Sequence, residues 1–146
     1  MRVRQLSLFL ENRPGQLAMA CRALGDAGID ILTMSLADTE QFGIFRFIVR
    51  EPDRALRILE ENRFVVSANE VVPLAVAHEP GGLAGVLEKL EQQKLNVEYM
   101  YLFPCTKQDE AVLIVRFENT DAAISTLDQA GIRTLAAEDL LESAAG

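Results

Sequence analysis

A chain of 146 residues that is 49% hydrophobic can bury one sizeable core or two small ones without a disulfide or metal staple. Its formal net charge of −8 argues against a nucleic-acid partner, because affinity for a polyanion rests on lysine and arginine neutralising phosphates. No apolar run reaches about 18 residues and no signal-peptide core opens the chain, so the expectation is a soluble cytoplasmic protein with no membrane partner. Cys21 and Cys105 form neither a CxxC pair nor part of a metal cluster, and two free thiols are expected.

Residues Val3 to Leu10 set Leu6, Leu8 and Leu10 against Gln5, Ser7 and Phe9, the two-residue period of a strand with one buried face. Glu11-Asn12-Arg13-Pro14-Gly15 then turns the chain, since proline fixes φ and glycine permits φ > 0. Leu17, Ala20, Cys21, Leu24 and Ala27 draw one helical stripe that stops near Gly28. Ile29 to Met34 alternates, and after the polar Asp38-Thr39-Glu40-Gln41 the β-rich run Ile44 to Val49 returns as the second arm of a hairpin. Pro52-Asp53 opens a second helix carrying Ala55, Leu56 and Leu59, with Asp53–Arg57 and Arg57–Glu61 spaced as i,i+4 ion pairs on its solvated face. Phe64-Val65-Val66 resumes an extended pattern, and the order is β-α-β-β-α-β.

That order occurs twice. Asn12/His78 and Asp30/Asn96 are both 66 residues apart, and within that window Pro14/Pro80, Gly15/Gly81, Leu17/Leu83, Ala18/Ala84, Leu24/Leu90 and Leu36/Leu102 keep register. Past the hairpin, Asp53/Asp121 and Leu59/Leu127 are 68 apart, which puts two extra residues in the second hairpin between about Phe103 and Ala111, a segment holding Pro104, Lys107 and Gln108. The boundary falls near Asn69-Glu70 with no Gly/Ser-rich linker, giving expected domains at residues 1–69 and 70–146. After Ile132-Arg133-Thr134-Leu135 a short terminal helix is expected over 136–143, with Leu140 and Leu141 available for docking.

The repeated turn matters because it leads straight into a helix, whose first N–H groups lack partners within it and whose dipole leaves partial positive charge there. Such a start suits a carboxylate. Glu11-Asn12-Arg13-Pro14-Gly15-Gln16-Leu17 followed by Gly28-Ile29-Asp30-Ile31, and again Glu79-Pro80-Gly81-Gly82-Leu83 followed by Leu95-Asn96-Val97, resembles the ACT domain, in particular the regulatory small subunit of acetolactate synthase. The resemblance spans nearly the whole chain as two tandem copies. It implies an α+β fold of two tandem ferredoxin-like βαββαβ units, with antiparallel sheets covered by helices on one face. It also implies domains that pair side by side, and a free amino acid held between the strand-to-helix loop of one domain and the second strand of its neighbour.

Carried onto this sequence, the ligand-binding residues are Asn12, Arg13, Pro14, Gly15, Gln16 and Leu17 with Asp30 and Ile31 in the first copy. In the second they are His78, Glu79, Pro80, Gly81, Gly82 and Leu83 with Asn96 and Val97. N–H groups at Gly15, Gln16 and Leu17, and at Gly81, Gly82 and Leu83, are the expected donors to a carboxylate, and Asn12, Asn96 or Asp30 the acceptors for an ammonium. Asp30 stands where the motif prefers asparagine and His78 where the first copy has Asn12, so the two sites should differ. Histidine, branched-chain and aromatic amino acids are the ligand candidates by family likeness.

An enzyme would need a nucleophile, a poised acid or base, or a metal site, and the chain holds no GxSxG, P-loop, HExxH or GxGxxG. Glu11, Asp30, Glu79 and Glu98 read as surface carboxylates. No catalytic residue, metal or cofactor is expected; the expected role is a non-catalytic small-molecule sensor, a homodimer or larger, acting on a separate partner. The competing reading is a regulatory subunit or interaction module that acts on a biosynthetic enzyme without a ligand of its own, using Phe9, Phe45, Phe47, Tyr99, Tyr101 and Phe103 at an interface.

Overall fold

The alternation of Leu6, Leu8 and Leu10 becomes the middle of strand β1 (Val3–Glu11), and the leucine stripe that follows becomes helix α1 (Gln16–Asp26) lying over it. In the computed structural model, which describes residues 2–106 and 109–144, there follow β2 (Thr33–Thr39), β3 (Phe42–Ile48), α2 (Pro52–Glu61) and β4 (Val65–Ala77). The second copy comprises the end of β4, then α3 (Gly82–Gln92), β5 (Val97–Phe103), β6 (Glu110–Phe117) and α4 (Thr120–Gln129), with a terminal α5 (Ala137–Ser143). The expected α+β fold of two tandem ferredoxin-like βαββαβ units is what forms. One compact unit is Arg4–Asn69; the other takes residues 70–144 together with Arg2 and Val3. Arg2 is tied there by ion pairs to Glu70 at 2.8 Å and Asp121 at 2.5 Å. Lys107 and Gln108, where the two extra hairpin residues were expected, lie outside the described residues.

In the first unit the sheet runs β2-β3-β1 with β4 beside β1. The antiparallel register sets Leu8 opposite Phe45 and Leu6 opposite Phe47. Opposed residues share a face, so Phe45 and Phe47 belong to the helix-covered side and not to an exposed one. Their rings stack at 5.1 Å in a core with Leu24, Ala55 and Leu59. The sequence leaves Gln5 and Ser7 on the open face, yet both are buried. Gln5 Nε2 donates to Ser7 Oγ at 3.1 Å, and Ser7 Oγ to Asn69 Oδ1 at 2.7 Å, which satisfies groups that would otherwise be costly to hide.

Two further expectations change. The first hairpin starts at Thr33 instead of Ile29, because residues 30–32 form a link held by the Leu32 N–H on Ile48 O at 2.9 Å. Asp53 pairs with Arg4 of β1 instead of with Arg57.

The second unit repeats the design in the order β4-β6-β5. Its core gathers Leu74, Leu90, Leu113, Val115, Phe117 and Leu127. The closing strand is reduced to a bridge between Thr134 and Leu74, flanked by Ala75 N–H on Arg133 O and Leu135 N–H on Pro73 O, both 3.0 Å. Helix α5 then borders the face away from α3 and α4. Val112, which points opposite to Leu113, lines a cleft with Leu135, Asp139 and Ser143. Leu140 is fully buried as expected, and Thr106 N–H donates to Ser143 O at 3.1 Å.

The six left-handed residues of the described chain fall at matched positions: Gly15 with Gly81, Gly28 with Lys94, Arg63 with Gly131. The backbone therefore repeats even where the residue type does not. Neither cysteine is in a disulfide, and burial pushes the Cys21 thiol above its usual range. No helix among the described residues is long and apolar enough to cross a membrane.

Candidate functional site

Each strand-to-helix turn is built by the same four backbone bonds. In the first copy Asn12 N–H donates to Gln41 O (2.9 Å), Arg13 N–H to Glu11 O (2.9 Å), Gln16 N–H to Arg13 O (3.4 Å) and Met19 N–H to Gly15 O (3.0 Å). In the second, His78 N–H reaches Asp109 O (3.1 Å), Glu79 N–H reaches Ala77 O (3.0 Å), Gly82 N–H reaches Glu79 O (3.0 Å) and Gly85 N–H reaches Gly81 O (2.9 Å). Gly15 at φ 91° and Gly81 at φ 83° occupy the residue before each helix, in a region that side chains disfavour.

Neither helix has a side-chain cap or an acidic residue in its first turn. The first helical bonds come from Met19 and Gly85, so the N–H groups of Leu17 and Ala18, and of Leu83 and Ala84, have no acceptor within their helices. Those are the donors each turn presents. Gln16 and Gly82, two of the expected donors, already bond within the turn.

Around these turns the copies differ. Asn12, Arg13, Pro14 and Gly15 are exposed, with Gln16 and Leu17 half-buried, and Arg13 closes on Glu11 at 2.8 Å. His78, Glu79, Pro80, Gly81 and Leu83 are exposed and Gly82 is half-buried. Beside the second turn lies a hollow of about 190 Å³ walled by Val76, Ala77, Leu83, Leu102, Ala111 and Leu113, with His78 and Glu79 at its rim. Sequence reasoning missed Val76, Ala77, Leu102, Ala111 and Leu113 as site residues. The match of Leu102 to Leu36 was the available signal.

Asp30, Ile31, Asn96 and Val97 do not join these turns within a unit. Glu11 pairs with Phe42, which opposes Thr39 at the far end of β2, whereas Asp30 and Ile31 precede its start at Thr33. Ala77 likewise pairs with Glu110 while Val97 pairs with Phe117. At about 3.3 Å per residue, a strand of this length separates the two groups by roughly 20 Å. Asn96 instead enters a cleft of about 540 Å³ with Lys94, Leu95, Phe117, Glu118 and Asn119. Asn119 there accepts the Ala122 N–H at 3.0 Å and caps α4.

Among the described residues no group of three or more His, Cys, Asp or Glu side chains is placed to hold a metal. What the turns offer is polarity fitted to an anion, next to an apolar hollow in the second copy.

Two βαββαβ units, each with such a turn between its first strand and first helix, make the chain a tandem repeat of one α+β design. The family described as ACT domain pair matches residues 1–144, and the chain belongs to it. The chain is similar to the crystal structure of protein BT0572 from Bacteroides thetaiotaomicron, at 36% identity and TM-score 0.88 over 96% of each chain. Its fold is also that of the regulatory subunit of aspartate kinase from Thermus thermophilus in ligand-free form, at 19% identity and TM-score 0.61 over 87% of this chain and 91% of that one. The corresponding Thermus flavus subunit has 17% identity and TM-score 0.60 over 90% and 95%. No curated protein matches the chain.

Proposed function

We propose that the protein is a non-catalytic sensor that binds a free L-amino acid at ACT domain interfaces and passes the signal to a separate partner in the cytoplasm. The observation that carries this reading is the duplicated turn: the same four backbone bonds, a left-handed glycine and an uncapped helix start in both copies. An uncapped start is suited to a carboxylate, since its N–H groups and dipole favour negative charge.

The acceptors for the ammonium come from a second copy in this proposal, because Asn96 lies a strand length from the turn of its own unit. β2 and β5 are the outer strands. They expose Met34, Leu36, Met100 and Leu102. Antiparallel pairing of two β5 strands about a two-fold axis would bring the start of one beside the end of the other, so that Asn96 of one copy faces the His78 to Leu83 turn of the next.

A thermal-shift screen of the twenty L-amino acids tests the proposal. One of them, at about 100 times its dissociation constant, is expected to add roughly 2.7 kcal/mol to the native state and raise the melting temperature. Sedimentation of the same samples is expected to give a dimer or larger. A flat screen at millimolar concentration, with no heat in calorimetry, would remove the sensor reading.

A further inference from the structure

The face of the first sheet away from α1 and α2 carries an apolar row, and the repeat supplies a comparison for it. Phe9 opposes Ile44 and Ile44 opposes Ala37, so the three share one face across β1, β3 and β2. Phe42, two residues before Ile44, extends the row, as does Val65 of β4, whose neighbour Val66 packs into the helix-covered core. Phe9 is 44% exposed, Phe42 55% and Val65 67%. The matching row of the second sheet is Ala75, Val112 and Phe103, in the same pairing. There Val112 and Phe103 are buried, with Leu135 and α5 beside Val112. In the first copy β4 runs on directly as the first strand of the second, so no chain remains there to form a counterpart of α5.

We infer that this row is an interface between two copies of the chain, packed sheet face on sheet face about a two-fold axis. The inference goes beyond the sensor reading, needs no ligand, and uses a different surface from the β5 edge. At about 200 Å² per ring, Phe9 and Phe42 together leave roughly 200 Å² of aromatic surface in water. With Val65, Ile44 and Ala37 the patch is on the order of 300 Å², enough for the apolar heart of an interface of about 800 Å² per partner. Charge favours a second copy as the occupant. Residues 4–69 hold eight arginines, no lysine and nine acidic residues, a net of −1 out of the chain's −8, so two such faces meet with little repulsion. At the edge of the patch Glu11 opposes Phe42 and is paired to Arg13 at 2.8 Å, which puts both signs together. A two-fold axis makes that edge self-complementary, with Glu11 of one copy toward Arg13 of the other. Sheets packed in this way stand about 10 Å apart, a depth that interdigitating phenylalanine rings fill.

The test is sedimentation equilibrium and hydroxyl-radical footprinting of the full-length protein across micromolar concentrations, in wild type, Phe42→Glu, Val65→Glu, the two combined, and Met100→Glu on the β5 edge. In wild type, oxidation of Phe9 and Phe42 is expected to fall as the chains associate. Phe42→Glu and Val65→Glu would each bury a carboxylate without a partner, and each is expected to raise the dissociation constant of this contact about tenfold or more. The combined variant is expected to halve the mass of the assembly, whether or not the β5 strands also pair. Met100→Glu is expected to leave Phe9 and Phe42 protected. Circular dichroism and melting establish that each variant is folded; should Phe42→Glu fail, Val65→Glu decides. Wild-type mass in the folded combined variant, or Phe42 oxidised as fast in the assembled wild type as in the dilute one, would overturn the inference and leave the sensor reading standing. A monomeric wild type would overturn it as well and leave this face to a different protein, while the amino-acid screen would still decide whether the chain is a sensor.

Discussion

Leu140→Ala is expected to destabilise the second unit by about 2–5 kcal/mol, the cost of removing a buried leucine and leaving part of its space empty. The reason goes beyond one side chain. At seven residues α5 is too short to hold its own helical shape in water, so its order depends on docking. Leu140 is its fully buried residue, and what it anchors includes the Thr106 to Ser143 hydrogen bond and the bridge between Cys105 and Ala144. Chemical denaturation followed by circular dichroism gives the stability, and limited proteolysis should show earlier cutting beyond Leu135. Leu141→Ala, at a half-buried neighbour, should cost distinctly less. Equal small losses in both would mean that α5 is not held as described.

Gly82→Ala is expected to be the more informative change for the site. A Cβ at Gly82 would stand 2.1 Å from the carbonyl oxygen of Ala77, which is backbone and cannot swing aside as a side chain can. Relief requires the turn itself to move, at a cost of about 2 kcal/mol or more. At roughly 2–4 °C per kcal/mol for a chain of this size, the melting temperature should fall by about 4–8 °C or more. Gly81→Ala meets open space, and its penalty is the left-handed backbone alone, about 1–2 kcal/mol. Gln16→Ala at the matched position of the first copy should be close to neutral. If Gly82→Ala melted like wild type, the turn would have to be more pliable than its hydrogen bonds imply.

Much of the architecture could be read from residue order. The alternation of Leu6, Leu8 and Leu10, the stripe from Leu17 to Ala27 and the spacing of 66 then 68 residues all survive in the structure, because each reflects a local period or a repeated one. What escaped depended on groups distant in sequence. Gln5 and Ser7 look like surface residues until Asn69, 62 residues beyond Ser7, supplies the acceptor that makes their burial affordable. Asp53 reads as a partner of Arg57 until the sheet brings Arg4 to it. At the candidate site the turn residues were legible from Pro-Gly alone, while the hollow was not, since its walls come from β4, α3, β5 and β6 together. The separation of Asn96 from the turn of its own unit accords with the expectation that the turn and the second strand come from neighbouring domains.

The paired left-handed residues have a consequence for tolerance. At two of the three matched positions one copy has Lys94 or Arg63 where the other has glycine, and at a similar left-handed angle a lysine or arginine carries a penalty of about 1–2 kcal/mol. The chain thus records, within a single molecule, which of its sharp bends can absorb such a penalty and which have not been asked to. Those after α1, α2 and their counterparts each hold a residue other than glycine in one copy. The bend at Gly15 and Gly81 has kept glycine on both occasions, and it is the bend from which each candidate anion-binding helix begins.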